Sequence, residues 1–442
     1  MRVAFLVGHF PRLSETFVLN QITGLLDRGH EVEVYTEHIE GWTKVHPDVK
    51  KYRLWERTFL IHSVPPNYIW RVLRGLWLTA THFHQAPWLI LRSLNIFAYG
   101  TQAASLWLLY SAISLAEKQA TYDIIHCQFG TQGYRGATFK RLLKPTPKLL
   151  VMFRGHDISR YVKEGGDKVY QALFKDVDYC LANCSFFRQR VIDLGWKPDK
   201  ISVHFSGIDV SKFKFKPRSL GAGESIKIAT VGRLEEKKGI EYAIRAVAKQ
   251  IEKTPSITYN IIGDGSLKES LDSLIHSLGV ESNVHLLGWK NEAEIIQVLD
   301  TCHLFIAPSV TASDGNQDAP INVLKEAMAL GLPVISTRHG GIPELVEDGV
   351  SGYLVPERDV DALTEKLEHM LNHPERWPEM GAAGRKFVEC HFDLQGLNDL
   401  LVSRYKQILS QDHRNNFRRL SSRKSAVDFS ENSPIRSAYF EK

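Results

Sequence analysis

This sequence predicts an α/β fold: two doubly wound, Rossmann-like domains of parallel sheet that face one another across a cleft. Three observations carry that expectation. The chain has 442 residues, more than one hydrophobic core usually organises. Short apolar strands alternate with helical patterns in the first half, the order that builds parallel sheets. After residues 212–223, a linker rich in Lys, Pro, Ser and Gly, the alternation starts again and continues to residue 372.

The elements follow in order. Residues 3–7, a polar turn, 17–26 and 31–35 make a strand-loop-helix-strand unit, with Gly29 placed as the helix C-cap. Further strands are expected at 124–126, 149–153, 179–182 and 201–205. In the second half the strand candidates are 226–231, 258–262, 283–286, 304–307, 333–336 and 352–355. Helical patterns at 239–253, 267–278, 292–300, 322–330 and 360–372 separate most of them. Residues 395–409 form another amphipathic helix, and from 413 to 442 Asn, Arg and Ser replace apolar residues, which reads as a largely disordered tail.

A hydrophobic share of 43% and a charged share of 24% are ordinary globular values, which argues against disorder, a collagen or a multispanning membrane protein. Cys127, Cys180, Cys184, Cys302 and Cys390 are scattered without a CxxC pair, so they read as free thiols in a reducing compartment, the cytoplasm, and not as a metal site. The opening apolar run, residues 2–7, meets Gly8 and His9 too early for a secretory signal and reads as a first strand.

The formal charge is only +5, yet residues 57–116 contain no Asp or Glu, and there Arg57, Arg71, Arg74 and Arg92 interleave with Trp70, Trp77, Trp88 and Trp107. That pattern suits helices partly in the core and partly in peripheral contact with an anionic membrane surface. Ordinary packing with incidental arginines is the competing reading. The uncharged run 93–116 is long enough to span a bilayer, but Tyr99, Gly100, Thr101, Gln102 and four serines dilute it, which argues against a true span.

Two segments carry the chemistry. Gly232-Arg233-Leu234-Glu235-Glu236-Lys237-Lys238-Gly239 follows a strand and opens a helix, where backbone amides lack intrahelical partners. With Arg233 and Lys238 beside that positive helix end, the loop fits a diphosphate held without metal, and equally a solvated basic turn. The second segment runs from Asp318 to Val334. Asp318 lies in a loop before a helix start and can reach sugar hydroxyls; Glu326 lies a turn inside and can accept both hydroxyls of a ribose; the amides near Ile321 and Asn322 can meet phosphate. Taken alone, Asp318 reads more simply as a capping acid and Glu326 as a surface residue.

GRLEEKKG, then DAPINVLKEAMALGLPV, then GGIPELVEDGVSGYLV resemble glycosyltransferase family 4, of the GT-B fold. In the first half Phe10-Pro11 with Ser14-Glu15-Thr16-Phe17, the run from Asp123 to His126, and Gly207-Ile208-Asp209 stand where that family has similar residues. The combination is most similar to the bacterial exopolysaccharide branch that includes colanic acid biosynthesis glycosyltransferases. The resemblance implies an acceptor-side domain at about 1–206, a nucleotide-sugar domain at 207–387, and a helix within 388–412 that crosses back onto the first.

It also implies roles. Gly232 belongs to the donor loop; Arg233 and Lys238 neutralise the departing diphosphate; Glu326 binds the ribose; Asp318 contacts the transferred sugar; Gly340 and Gly341 let the backbone approach the donor, although a plain turn also explains them. Transfer retains the anomeric configuration through an oxocarbenium-like state, without metal or cofactor.

The chain departs from the pattern in three places. Asp318 stands where the family usually has Glu, which shortens the carboxylate by a methylene. Relatives often have His at the position of Arg154, so either Arg154 serves as the cation toward the donor, the preferred reading, or His156 supplies an imidazole from nearby. Cys127 stands where a second His often follows the one matching His126. Ser14, Glu15 and Thr16 lie on the first loop, placed for donor phosphate or acceptor hydroxyls, or for N-capping.

The expected reaction moves a hexosyl group from a nucleoside diphosphate sugar to a lipid-linked or polysaccharide acceptor at the inner membrane face. The rivals are another GT-B reaction, such as sugar-nucleotide epimerisation or sucrose or glucan synthesis, and a non-catalytic GT-B scaffold. The turn from Val7 to Pro11 lacks GxGxxG, which argues against a dehydrogenase, and no nucleic-acid-binding module is recognisable.

Overall fold

The computed structural model describes residues 1–12, 15–41, 45–116 and 121–427, with 411–427 described by their backbone alone. The first sheet contains β1 (Arg2–Phe10), β2 (Glu31–Ile39), β3 (Thr58–Leu60), β4 (Ile124–Cys127), β5 (Lys148–Phe153), β6 (Tyr179–Ala182) and β7 (Ile201–Val203), in the order β3-β2-β1-β4-β5-β6-β7. The second contains β8 (Ile226–Val231), β9 (Ile257–Ile262), β10 (Val284–Leu286), β11 (Leu304–Ala307), β12 (Val334–Thr337) and β13 (Gly352–Val355), in the order β10-β9-β8-β11-β12-β13. Every neighbouring pair is parallel. This is the two-sheet arrangement the sequence predicts.

Strands covered by helices on both faces read as nearly continuous apolar runs. In β1, Val3, Phe5 and Val7 pack into one layer with Leu401 and Tyr405, while Ala4 and Leu6 pack into the opposite layer with Tyr35 and Phe139. The strand order reverses between β1 and β4 and between β8 and β11. In open α/β sheets ligands bind beyond the carboxyl ends of the strands at such reversals.

Four differences from the sequence reading stand out. The short edge strand β3 pairs with β2 through Val34 and Thr58, and its three half-exposed residues are too few to show a period. A helix at Trp377–Phe392 was not expected, and the expected domain end at residue 387 falls inside it. The chain crosses back just after it, where the Ile208 amide donates to Phe392 O at 3.0 Å and the Leu394 amide to Ile208 O at 3.0 Å. The last helix runs Leu394–Val427, past the expected break at 413, because no Gly or Pro occurs from 397 to 427; residues 428–442 lie outside the described residues.

The crossing helix lies on domain one. Its Asn398 fills the space a side chain at Gly24 would take, and Asp399 accepts from Arg28 Nε at 2.7 Å. Residues 57–116 are mostly helical. Trp107–Ala116 is buried almost throughout, and Tyr68–His82 and Pro87–Ser93 rest on it through Leu78, Ile90, Leu109, Tyr110 and Ile113. Among the described residues no helix is long and apolar enough to cross a membrane.

Of the five cysteines only Cys390 is exposed. Cys180 and Cys184 do not share a helix face: Cys180 is in β6, and Cys184 caps the following helix by accepting from the Phe187 amide.

Candidate active site

The loop after β8 is shaped by glycine. Gly239 has φ +60°, and a Cβ there would stand 2.0 Å from Pro308 O, so only glycine lets this loop close against the exit of β11. The closure brings two ammonium groups onto one carboxylate. Lys237 Nζ lies 3.0 Å from Asp318 Oδ1 and Lys238 Nζ 2.7 Å from Oδ2, while Ser309 Oγ donates to Oδ2 at 3.2 Å. Asp318 is only 6% exposed. Burial alone would raise its pKa; Lys238 and Lys237 overcome that and hold the carboxyl well below the usual range. Burial in turn lowers the Lys238 pKa, against the attraction of Asp318.

Asp318 is therefore not a helix cap. The helix Asn322–Ala329 starts after Ile321 with no side-chain cap, so its first amides are left for solvent or a ligand. Asn322 Oδ1 instead accepts from Lys325 Nζ at 3.1 Å. Glu326 is half-buried, not a surface residue. Burial, reinforced by Glu292 and opposed by Lys325 and Lys212, raises its pKa to about 7.

Of the two cations expected to act together, Lys238 faces Asp318, whereas Arg233 is exposed and its Nη1 lies 2.7 Å from Glu235 Oε1. Gly232 has its Cα hydrogens against the Lys238 side chain, where a Cβ would come within 3.6 Å. Gly340 and Gly341 serve packing within the protein. A Cβ at Gly340, whose φ is +50°, would stand 2.1 Å from Asp318 O, and one at Gly341 would stand 2.4 Å from Pro320 Cδ.

On the facing domain, Arg154 follows β5 and is buried. Its Nε donates to Gln128 O at 3.2 Å, Nη2 to Gln128 Oε1 at 2.7 Å and Nη1 to Ser206 Oγ at 2.9 Å, and the guanidinium lies 4.2 Å from the Phe17 ring centroid. Burial pulls its pKa down to about 9, against the pull of Asp157 and Glu15. His156 is exposed, edge-on to Phe129 with ring centroids 6.0 Å apart. Asp157 sets this loop by accepting the amides of Arg154, Gly155 and Gly130.

The two loops meet across the cleft. A Cβ on Gly155 would lie 3.3 Å from Gln317 O, the residue before Asp318. Lys163 Nζ donates to Ser313 O at 2.8 Å, and the Glu344 carboxylate accepts the Ser185 and Phe186 amides at 2.7 and 2.9 Å.

Glu15 precedes the helix Thr16–Asp27 without capping it; burial raises its pKa against Arg12, whose Nη1 is 3.2 Å away, and Arg154 also acts on it. Thr16 is the first residue of that helix. Ser14 lies outside the described residues. His126, expected near the acceptor, is instead fully buried: in the middle of β4 its Nδ1 meets Tyr405 Oη at 2.6 Å and its ring packs on Phe5. Strand alternation points it into the layer under the crossing helix, away from the cleft.

Four residues escaped the sequence reading. Lys237 shares Asp318 with Lys238. His339 is fully buried; its Nε2 accepts the Asp318 amide at 2.9 Å and its Nδ1 lies 2.6 Å from Glu357 Oε1. With Nε2 accepting, Nδ1 is the ring nitrogen that can donate to Glu357. Lys325 donates to Ser206 O at 2.7 Å, so Ser206 links it to Arg154. The adjacency of His339 to Gly340-Gly341 was the only signal for it; Glu357, far along the chain, had none.

Comparison with known proteins decides the family. Residues 211–387 match the model for glycosyl transferases group 1, and 14–205 that for a glycosyl transferase 4-like domain. A putative colanic acid biosynthesis glycosyltransferase, WcaL of Salmonella typhimurium, is 34% identical over 91% of this chain and 99% of its own. The chain belongs to this glycosyltransferase family. The amylovoran biosynthesis glycosyltransferase AmsK of Erwinia amylovora is 33% identical over 89% of this chain and 96% of its own. Among solved structures, Anabaena HepE in complex with UDP and glucose has a TM-score of 0.65 at 19% identity, covering 92% of this chain and all of that one. Sucrose-phosphate synthase of Thermosynechococcus elongatus has a TM-score of 0.66 at 18% identity, covering 93% of this chain and all of that one. At those identities the likeness is one of fold, and the glycosyltransferase shares the GT-B architecture.

Proposed function

We propose that the enzyme transfers a hexosyl group, with retention and without a metal ion, from a nucleoside diphosphate sugar to a lipid-linked or polysaccharide acceptor in exopolysaccharide synthesis. The observation that carries this reading is the meeting of Lys237, Lys238 and Asp318 beside an uncapped helix start, with Glu326 one turn further in. When a diphosphate enters, the lysines can turn from the carboxylate to the phosphate oxygens, and the exposed Arg233 can swing from Glu235 to join them. Asp318 is then free to accept sugar hydroxyls and Glu326 those of the ribose.

Charge that builds on the departing diphosphate is met by fixed cations and amides, which is how such a site accelerates bond cleavage. Arg154 adds a buried positive field from the other domain, opposite the donor loop. The relatives named for colanic acid and amylovoran synthesis support the acceptor class, and the HepE complex with UDP and glucose supports the donor class.

The test is saturation-transfer NMR of the full chain against UDP-, GDP-, ADP- and TDP-sugars, repeated with Lys238→Ala. Selective binding that the variant loses is expected. If no donor binds, the reading fails and a non-catalytic GT-B scaffold takes its place.

A further inference from the structure

The helix Tyr68–His82 is built inside out. Its buried positions are Gly75 and Leu78, whereas Ile69, Trp70, Leu73, Leu76 and Trp77 are all exposed, Trp70 at 67% and Trp77 at 62%. At 100° per residue those five fall within an arc of about 120°, one continuous apolar face turned away from the protein. The next helix, Pro87–Ser93, rests on the same small cluster and turns Trp88, 83% exposed, and Leu91 outward; Ile96 and Phe97 follow, also exposed. Soluble monomers seldom leave so many large apolar side chains together in water.

Charge indicates what covers them. Residues 57–116 hold no carboxylate in a chain with 50 acidic residues, and Arg57 and Arg74 are exposed in the same region. Arg74 lies at the edge of the apolar arc, one turn from Trp70 and Trp77. Arg71 on the inner side is tied to Pro65 O and Ser105 O, so its role is structural. A second copy of this chain on the same face would set cation against cation. An anionic bilayer supplies the opposite charge and an apolar layer for the tryptophans.

We infer that the face formed by Ile69, Trp70, Leu73, Leu76 and Trp77, with Trp88 and Phe97, seats this protein on an anionic membrane, the helix Tyr68–His82 lying in the interface plane. No described helix can cross the bilayer, so the attachment is peripheral. The inference extends the acceptor side of the reading above, and its test reads vesicle binding rather than transfer, so either can fail alone.

The experiment is flotation of the full chain with vesicles of phosphatidylglycerol mixed with phosphatidylethanolamine, and with phosphatidylcholine alone, at low and high salt. The wild-type chain should float with the anionic vesicles, less at high salt and little with phosphatidylcholine. Trp70→Ser with Trp77→Ser should weaken binding by on the order of tenfold per residue, and Arg74→Glu should weaken it on the anionic vesicles alone. All three positions are exposed, so a thermal melt should match the wild type. Quenching of wild-type tryptophan fluorescence by lipids brominated on the acyl chains gives a readout that needs no variant. No flotation on anionic vesicles, flotation indifferent to the double substitution, or a dimer that the double substitution dissolves would each overturn the inference.

Discussion

Lys238 Nζ lies 2.7 Å from Asp318 Oδ2, an ion pair between two loops 80 residues apart in the chain. Lys237 holds the other carboxylate oxygen, so one acid balances two ammonium groups in a buried place. Without it they repel each other where water cannot screen them.

Asp318→Asn should therefore destabilise the free protein by about 3 kcal/mol, the usual cost of breaking a buried pair from one side. A nucleoside diphosphate returns negative charge to the same spot. Its stabilisation of Asp318→Asn in thermal melts should exceed its stabilisation of the wild type. An Asn variant as stable as the wild type, with an equal nucleotide shift, would show that the cluster is not coupled in this way.

His339 positions Asp318 by accepting its amide while Glu357 accepts from the other ring nitrogen. His339→Ala leaves the Asp318 amide unpaired, while Glu357 keeps the Thr311 amide and hydroxyl, at a cost of about 1–3 kcal/mol. The expected signature is a fall in kcat of tenfold or more with donor KM changed far less. A rise in KM at constant kcat would assign His339 to donor binding instead.

Arg154 and His156 offer different side chains to the cleft, a buried guanidinium tied by Gln128 and Ser206 and an exposed imidazole. Arg154→Lys loses the forked bonds and should lower turnover strongly, because a point charge cannot replace the planar fork. His156→Ala should melt like the wild type and keep most activity. An inactive His156→Ala beside a fully active Arg154→Lys would reverse the assignment.

Glu326, with its pKa raised to about 7, folds more readily protonated than ionised. Between its ordinary value of 4.5 and about 7 the folded state binds more protons than the unfolded, so this group's contribution to stability falls as pH rises through that window. Glu326→Gln should gain on the wild type from pH 5 to pH 8 by on the order of 2 kcal/mol. Donor affinity should move oppositely, falling in the wild type as Glu326 is protonated below about pH 7, with a flat profile in the variant. Parallel denaturation curves at both pH values would remove Glu326 as the source.

Most strands were legible in the sequence because strands covered on both faces must be apolar over several residues, as 3–7 and 226–231 are. The loop after β8 was legible as a strand followed by glycine, cations and a helix, but the amides expected to be free there are mostly paired within the protein, those of Gly232, Leu234, Lys238 and Gly239 with Ile262 O, Asp264 O, Glu235 O and Glu236 O. Gly239 and the spacing of Asp318 from Glu326 are written in the local chain, and local chain geometry holds them there.

What the sequence could not yield lies in contacts between distant segments. His126 looked like a cleft residue, yet strand alternation and the crossing helix bury it against Tyr405. His339 and Glu357 gained meaning when β12 and β13 paired side by side and set Glu357 beside His339, which accepts the Asp318 amide. The arginines of 57–116 separated into a structural Arg71 and an exposed Arg74 once Trp107–Ala116 filled the core beneath them. Composition and spacing restrict what each segment can do alone; which side chains share a site depends on packing, which joins residues that carry no mutual signal along the chain.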